Sequence, residues 1–171
     1  MQLIPATKEA FPLIFREMEK NFIRAERRDY EQALAVFDHK SYTAYLLVHK
    51  EETVGFLTAW QFPHFTFLEH FVIFEPYRCH GLGALAIEQA KSLLAPLVLE
   101  VEPPESVMAT RRLGFYKRLG FCENPFPYLQ PSYHESESAI PLLLLSYPHV
   151  LADFQATVTQ IYETVYGIAA P

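Results

Sequence analysis

One stretch, FEPYRCHGLGALAIEQAK at residues 74–91, constrains the fold of this chain more than any other. It follows an apolar run at residues 65–74 that predicts a β-strand, and it continues into a helical pattern. Between the two lie one arginine, Arg78, and two glycines, Gly81 and Gly83. Backbone N–H groups at a helix start point outward, and glycine lets an anion approach them. This order therefore predicts an anion site suited to a pyrophosphate.

Two well-known phosphate-binding motifs do not account for this loop. The dinucleotide fingerprint GxGxxG is incomplete because no third glycine follows at the required spacing, and the P-loop is excluded because no Gly-Lys-Ser/Thr follows. The glycine loop therefore needs a wider context before it identifies a ligand.

The apolar spacing along the rest of the chain predicts a mixed α/β (α+β) protein. Strand patterns occupy residues 1–4, 43–50, 53–62, 65–74, 96–101 and 139–147, with a short strand near residue 121. Helical patterns occupy residues 7–22, 29–38, 82–93, 106–119 and 151–165. The order β-α-α-β-β-β-α-β-α-β-β-α predicts a mixed, mostly antiparallel central sheet with helices on both faces and an extra C-terminal helix.

Composition excludes several classes of protein. Half of the 171 residues are apolar, as in globular proteins, and no apolar run reaches the roughly 20 residues of a membrane span. The net charge of −6, without a basic face, argues against nucleic-acid binding. The N-terminus lacks a signal-peptide pattern, and the two cysteines lack metal-ligand spacing. We therefore expect a cytoplasmic protein with free thiols, no metal and no membrane partner.

Two motifs resemble those of the GNAT acyltransferase superfamily. EPYRCHGLGALAI is similar to its R-x-x-G-x-G/A signature, and RRLGFYKRLGF, residues 111–121, is similar to its later aromatic-tyrosine motif. The sequence departs from the family at Cys79, where a glycine is usual, and at Ala109, where an asparagine is common. The resemblance implies a GNAT domain over residues 1–146. Residues 147–171 would then be a helical extension that packs on the domain or on a partner subunit.

The resemblance also implies acetyl-CoA as co-substrate and a set of residues that bind it. The signature loop would hold the pyrophosphate through Arg78, Cys79, His80, Gly81, Leu82, Gly83 and Ala84. The backbone of Phe71, Val72 and Ile73 would run beside pantetheine, where the strand at residues 96–101 separates from its neighbour.

The same resemblance suggests two catalytic residues. Tyr116 lies in the tyrosine position of the later motif and would protonate the departing thiolate. Glu69 would act as general base, directly or through water, because a carboxylate in apolar surroundings has a raised pKa. His70 would then point to the opposite face of the strand. His64 is an alternative base, and Cys79 is the nucleophile of an alternative covalent route.

These features predict an N-acetyltransferase that moves an acetyl group directly to the primary amine of a small molecule. A protein or peptide acetyltransferase and a non-catalytic acyl-CoA-binding module are the alternatives. Aromatic residues around the N-terminal helices and the proline-rich segment are candidates for the acceptor wall, or for core packing. They are Tyr30, Trp60, Phe62, His64, Phe65, Phe67, Tyr128 and Tyr133. The C-terminal helix could also mediate a homodimer.

Overall fold

The structure, a computed structural model, describes residues 1–134 and 137–170. Its strands are β1 (Gln2–Pro5), β2 (Tyr42–His49), β3 (Glu52–Gln61), β4 (Thr66–Ile73), β5 (Leu97–Val101), β6 (Cys122–Glu123), β7 (Tyr128–Gln130) and β8 (Ile140–Tyr147). They form one sheet in the order β1-β2-β3-β4-β5-β8-β6, with β7 paired to β8. Only the β4–β5 pair is parallel among these described strands. The predicted mixed, mostly antiparallel sheet is confirmed.

Five α-helices cover the two faces of the sheet. They are α1 (Phe11–Asn21), α2 (Tyr30–Val36), α3 (Leu82–Leu94), α4 (Val107–Arg118) and α5 (Phe154–Ile161). Helices α1, α2 and α5 pack on one face around Phe11, Phe56 and Ile161, and α3 and α4 pack on the other around Ile87 and Leu113. The predicted helices on both faces are therefore confirmed, and each buries an apolar stripe against the sheet.

Strands β4 and β5 separate soon after they meet. Their parallel pairing joins Thr66 to Leu97, Phe67 to Val98 and Leu68 to Leu99, and goes no further. Beyond that point β4 continues for five residues beside β3 alone. The sheet is therefore open along one edge of β4, which is the separation that the family resemblance implies for the strand at residues 96–101.

A β-bulge lies where the two strands part. In the β3–β4 register Thr58 pairs with His70 and Ala59 pairs with Leu68, which leaves Glu69 as the extra residue. A bulge interrupts the alternation of side chains along a strand. Glu69 and His70 consequently approach each other, with His70 Nδ1 3.6 Å from Glu69 Oε2. The prediction that His70 points away from Glu69 is therefore wrong, because strict alternation fails at the bulge.

The C-terminal part of the chain differs from the sequence-based picture in one respect. Strand β7 lies within the proline-rich segment that the pattern leaves irregular, and it pairs with the start of β8. Helix α5 is followed by a wide π-helical turn, Tyr162–Tyr166, and both contribute to the core that α1 and α2 share. A domain boundary at residue 146 stays a prediction.

Candidate active site

The open edge of β4 forms one wall of a cleft of about 500 Å³, which we call the strand cleft. Strands β4 and β5 and helix α4 line it through Leu68, Glu69, Phe71, Leu99, Glu100 and Tyr116, with Val72 and Ile73 also on the β4 side. The three β4 residues predicted to run beside the co-substrate, 71–73, all lie on this wall. An unpaired strand edge offers backbone N–H and C=O groups to an extended ligand.

A second cleft lies at the start of α3 and is called here the loop cleft. Cys79 has a φ of +64° and Gly81, the N-cap of α3, has a φ of +76°. Left-handed residues at these positions turn successive backbone N–H groups toward one side, as in an anion nest. The guanidinium-bearing residues Arg111 and Arg118 of α4 line the same cleft. The loop therefore has backbone donors and two cations beside it.

The members of the predicted pyrophosphate loop differ in where they lie. Arg78, Cys79, Gly81, Leu82, Gly83 and Ala84 line the loop cleft, whereas His80 is exposed and does not line it. Arg78 donates from Nε to the carbonyl of Ile73 at 2.9 Å and from Nη2 to Asn21 Oδ1 at 2.6 Å. It therefore ties α1 to the end of β4, at the junction of the two clefts.

Tyr116 lies deep in the strand cleft on α4. It is 8% exposed and packs edge-on against Phe115 and Phe121. Burial raises the pKa of its phenol to about 12, although nearby Arg112 counteracts the effect in part. The hydroxyl therefore keeps its proton at neutral pH and is available as a donor to a group in the cleft.

The inner end of the strand cleft opens into a smaller cavity of about 220 Å³, the acidic pocket. The two cavities share Asn21, Phe22, Glu69, Glu100 and Arg112. Two more carboxylates, Glu26 and Glu102, line the acidic pocket, and Arg112 forms an ion pair with Glu102. Carboxylates thus outnumber cations around this cavity.

Glu69 is the most constrained carboxylate in the acidic pocket. Its side chain is only 2% exposed. Its Oε1 accepts hydrogen bonds from Arg28 Nη1 at 2.5 Å and from the Tyr133 hydroxyl at 2.8 Å. Burial alone would raise the pKa of Glu69, but the Arg28 guanidinium and His70 outweigh burial and hold this pKa well below its usual range. The predicted raised pKa of Glu69 is therefore wrong, because a buried cation lies against it.

Arg28, which the sequence analysis did not single out, comes from the segment before α2. Its guanidinium lies over the rings of Trp60 and Tyr133, 5.4 and 4.5 Å from their centroids. Its Nη2 also donates to the carbonyl of Val165 at 2.5 Å. Glu69 and these partners hold the guanidinium, and the pKa of Arg28 stays above its usual value despite burial. Arg28 and Glu69 therefore form a permanent ion pair at neutral pH.

Glu100 is the carboxylate that the sequence analysis missed. It lies on β5 opposite the open edge of β4 and lines both the strand cleft and the acidic pocket. Tyr128 donates to its Oε1, and the Tyr166 hydroxyl lies 3.0 Å from each of its oxygens. Burial raises the pKa of Glu100 to about 8; these two hydrogen bonds oppose the increase, and the negative charge of Glu69 adds to it.

A signal for Glu100 is present in the sequence. LVLEV is an apolar strand with one carboxylate inside it. A carboxylate is rarely buried unless it is paired or belongs to a functional site. The two tyrosines that donate hydrogen bonds to this carboxylate lie 28 and 66 positions further along the chain, however. No local spacing predicts such a contact.

Apart from Tyr133, the other sequence candidates lie away from the cavities or in the core. His64 is exposed in the turn between β3 and β4. Among the aromatic candidates, Trp60, Phe65, Phe67 and Tyr128 are buried in the core, and Tyr133 lines the acidic pocket. Within residues 1–134 and 137–170, no group of three or more His, Cys, Asp or Glu side chains is arranged to hold a metal ion. None of the described helices is both long and apolar enough to cross a membrane.

The statistical model of the acetyltransferase (GNAT) family matches residues 7–121, so the chain belongs to the GNAT acetyltransferase family. A solved structure from Bacteroides thetaiotaomicron, assigned to the same family, superposes with a TM-score of 0.93 at 27% sequence identity. The match covers 98% of this chain and 99% of the other. No curated protein matches the sequence significantly.

Two further solved structures share the fold at low sequence identity. A point mutant of the spermidine N-acetyltransferase SpeG from Vibrio cholerae has a TM-score of 0.64 at 10% identity, over 85% of this chain and 94% of its own. The ribosomal-protein-S18-alanine N-acetyltransferase from Escherichia coli has a TM-score of 0.58 at 17% identity, over 90% of this chain and 96% of its own.

The raised pKa of Glu100 predicts a specific dependence of stability on pH. A carboxyl that binds its proton more tightly in the folded state stabilises the protein below its unfolded pKa, and this contribution is lost as pH rises through the folded value, about 8. Relative to Glu100→Gln, the wild-type protein should therefore lose about 2 kcal/mol of unfolding free energy between pH 6 and pH 9. Calorimetric unfolding of both proteins at the two pH values measures this difference. Parallel stability curves would show that Glu100 titrates normally.

Proposed function

We propose that the protein transfers an acetyl group from acetyl-CoA to the primary amine of a small molecule, directly, in a complex with both substrates. The observation that supports this proposal is the continuity of three cavities. The loop cleft shares Ile73, Arg78 and Phe115 with the strand cleft, and the strand cleft shares Glu69 and Glu100 with the acidic pocket. The loop cleft, the strand cleft and the acidic pocket thus follow one another. This order would place the pyrophosphate, the thioester arm and the amine of the two substrates in one continuous space.

The residues around the first two cavities fit acetyl-CoA. We propose that backbone N–H groups of residues 79–84, with Arg111 and Arg118, hold the pyrophosphate. The β4 edge at Phe71, Val72 and Ile73 offers hydrogen-bonding groups to the amides of pantetheine. Bound in this way, acetyl-CoA supplies the reactive thioester, and the chain itself supplies orientation and proton transfer.

The acidic pocket favours a small cationic acceptor. It is only about 220 Å³ in volume, and Glu26, Glu69, Glu100 and Glu102 line it with Arg112 as the cation of the lining. Two of these carboxylates, Glu69 and Glu102, are already paired with arginines, so Glu26 and the ionised form of Glu100 are the groups that would attract an ammonium group and disfavour anions. The fold neighbours include a spermidine N-acetyltransferase and a ribosomal-protein-alanine N-acetyltransferase. A protein acceptor therefore stays the second candidate, which would insert its amine into the same pocket.

Glu100 is the proton acceptor in this proposal. An ammonium group must lose a proton before it can attack a thioester, and a base with a pKa near the working pH is the most effective. The pKa of Glu100, about 8, meets this condition, whereas Glu69 is ionised and already bound to Arg28. We assign Glu69 the role of an electrostatic partner that raises the pKa of Glu100. Tyr116 keeps its proton at neutral pH and would donate it to the departing sulfur.

The remaining sequence-based expectations stay predictions. These are the division into a domain at residues 1–146 and an extension at 147–171, the homodimer and the cytoplasmic location. The structure bears on the extension only in that α5 and the following turn pack into the core of the chain itself.

Release of free thiol from acetyl-CoA against a panel of amines tests the proposal. The panel should contain polyamines, aminoglycosides, amino acids and short peptides with a free N-terminus. Turnover with a small amine would support the proposal, and turnover with peptides alone would favour the second candidate. Calorimetric binding of CoA without thiol release on any amine would instead indicate a non-catalytic acyl-CoA-binding protein.

Two substitutions of Gly83 in the loop cleft should test whether CoA binds there, because one of them should leave both folding and binding unchanged. The atoms nearest to a Cβ added at Gly83 belong to Phe115, at 3.6 Å, and Ile73, at 3.8 Å, and these are ordinary contacts. Gly83→Ala should therefore fold normally and serve as the control. Gly83→Glu adds a carboxylate where a pyrophosphate would lie, and we expect CoA affinity to fall at least about 100-fold, as for repulsion between closely placed like charges. Calorimetric titration with CoA measures the change, and equal affinities for the two variants would refute the site.

Removal of the proposed proton acceptor should lower turnover far more than it lowers CoA affinity. We expect Glu100→Gln to reduce kcat by roughly 100- to 10,000-fold, the range for loss of a general base. Glu88→Gln, the same change on the exposed side of α3, is the control. Thiol release gives kcat, and calorimetry gives the CoA dissociation constant. A rate close to that of the control would place the base elsewhere.

Removal of the proposed proton donor should also slow turnover. We expect Tyr116→Phe to cost roughly 10- to 1,000-fold in kcat, because an unprotonated thiolate leaves more slowly. The matched control is Tyr147→Phe, since the Tyr147 ring packs on Phe121 beside Lys91, outside the clefts. The same thiol-release assay compares the two variants, and equal rates would exclude the donor role of Tyr116.

A further inference from the structure

The turn that follows α5 reaches back to the acidic pocket. Residues 162–166 lie after the segment that matches the family, which ends at residue 121. Tyr162 and Val165 are buried in the core beside α1, and the ring of Tyr166 packs on the ring of Tyr133 with centroids 5.1 Å apart. The C-terminal turn is therefore firmly anchored next to the proposed reaction centre.

Two side chains hold the carboxylate of Glu100. The Tyr166 hydroxyl lies 3.0 Å from Oε1 and 3.0 Å from Oε2, and the Tyr128 hydroxyl donates to Oε1. Phenol groups with a pKa far above neutral act only as donors to a carboxylate at working pH, and burial keeps the pKa of both tyrosines high. These hydrogen bonds restrict the rotation of the carboxylate and favour its ionised form.

The same turn holds the ion pair next to Glu100. The carbonyl of Val165 accepts a hydrogen bond from Arg28 Nη2 at 2.5 Å, and Arg28 Nη1 donates to Glu69 Oε1 at 2.5 Å. Adjacent residues of one turn therefore contact both buried carboxylates of the pocket, one directly and one through Arg28. A turn that served only to fill the core would not need polar contacts to both.

We propose that Tyr166, on the C-terminal turn, completes the active site as the positioning residue that holds Glu100 ready to accept the proton of the amine. This inference rests on the role that the proposed function gives to Glu100. It assigns part of the catalytic apparatus to a segment outside the family motifs.

The surroundings of Glu100 determine the direction of the expected effect. Charged and titratable side chains surround it on every side. Those from the first part of the chain, β5 and α4 are Glu26, Arg28, Glu69, His70, Glu102 and Arg112. The tyrosines from the C-terminal part are Tyr128, Tyr133, Tyr162 and Tyr166. Burial and the negative charges favour the protonated form of Glu100, whereas the two tyrosine donors favour the ionised form. Loss of one donor should therefore raise the pKa of Glu100 further.

Tyr166→Phe in the full chain tests the inference. The titration of Glu100 is followed by carbon-13 NMR of glutamate carboxyl groups, with its signal assigned by comparison with Glu100→Gln. We expect Tyr166→Phe to raise the midpoint of this titration by about one pH unit, the effect of a lost hydrogen bond to a charged group. The pH profile of kcat/KM, measured with the most active amine of the panel, should move upward by a similar amount, so that activity lost at pH 7 returns at higher pH.

The matched control is Tyr162→Phe in the same turn. The Tyr162 hydroxyl donates to the carbonyl of Leu129 and not to Glu100, so this variant should leave the Glu100 midpoint and the rate profile unchanged. Should Tyr166→Phe fail to fold, Tyr128→Phe provides the second test, with a shift in the same direction.

Three results have distinct meanings. An unchanged Glu100 midpoint in Tyr166→Phe, or an equal shift in Tyr162→Phe, would overturn the inference. A shift of both the carboxyl signal and the rate profile in Tyr166→Phe alone would support it. A shifted carboxyl signal with an unshifted rate profile would leave Tyr166 as the residue that holds Glu100, and it would overturn the proton-acceptor role in the proposed function.

Discussion

The separation of β4 from β5 is the constraint on which the other features of the site depend. Parallel pairing stops after Leu68 and Leu99, and beyond that point no described strand pairs with the free edge of β4. Unpaired backbone groups in a sheet need another partner, which a ligand can provide. The same separation leaves room for Glu69 and Glu100 at the inner end of the cleft. A continuous sheet would have closed both the channel and the pocket.

The two carboxylates at this point differ because their neighbours differ. Glu69 lies against Arg28, and its pKa is lowered; Glu100 lies among tyrosines and acidic groups, and its pKa is raised to about 8. Opposite shifts of two neighbouring titratable groups are a common way for a site to combine a permanent charge with an exchangeable proton. The permanent negative charge of Glu69 also adds to the raised pKa of Glu100, so in the proposed mechanism the ion pair would affect the reaction without taking the proton.

The family model shows the family and leaves the acceptor open, because one fold can serve different acceptors. In this chain the acidic pocket, which we propose as the acceptor side, is built from parts that lie far apart in the sequence: the segment before α2, the end of β5, the loop after β7 and the C-terminal turn. Their common property is an excess of carboxylates around a small volume. Our proposal of a small cationic amine as acceptor rests on that property, which depends on carboxylates that the family motifs do not include.

The sequence by itself determined the β4–loop–α3 unit, the positions of Gly81 and Tyr116 within it and in α4, and the order of helices and strands along the chain. These features rest on local periodicity and on two motifs, and both can be read from the amino-acid sequence alone. Only the tertiary structure decided which carboxylate has a raised pKa. The partner of Glu69 lies 41 residues away and a partner of Glu100 lies 66 residues away, and the bulge at Glu69 breaks the alternation that a strand pattern assumes. Burial and long-range charge determine a pKa, and neither can be read from the spacing of residues along a chain.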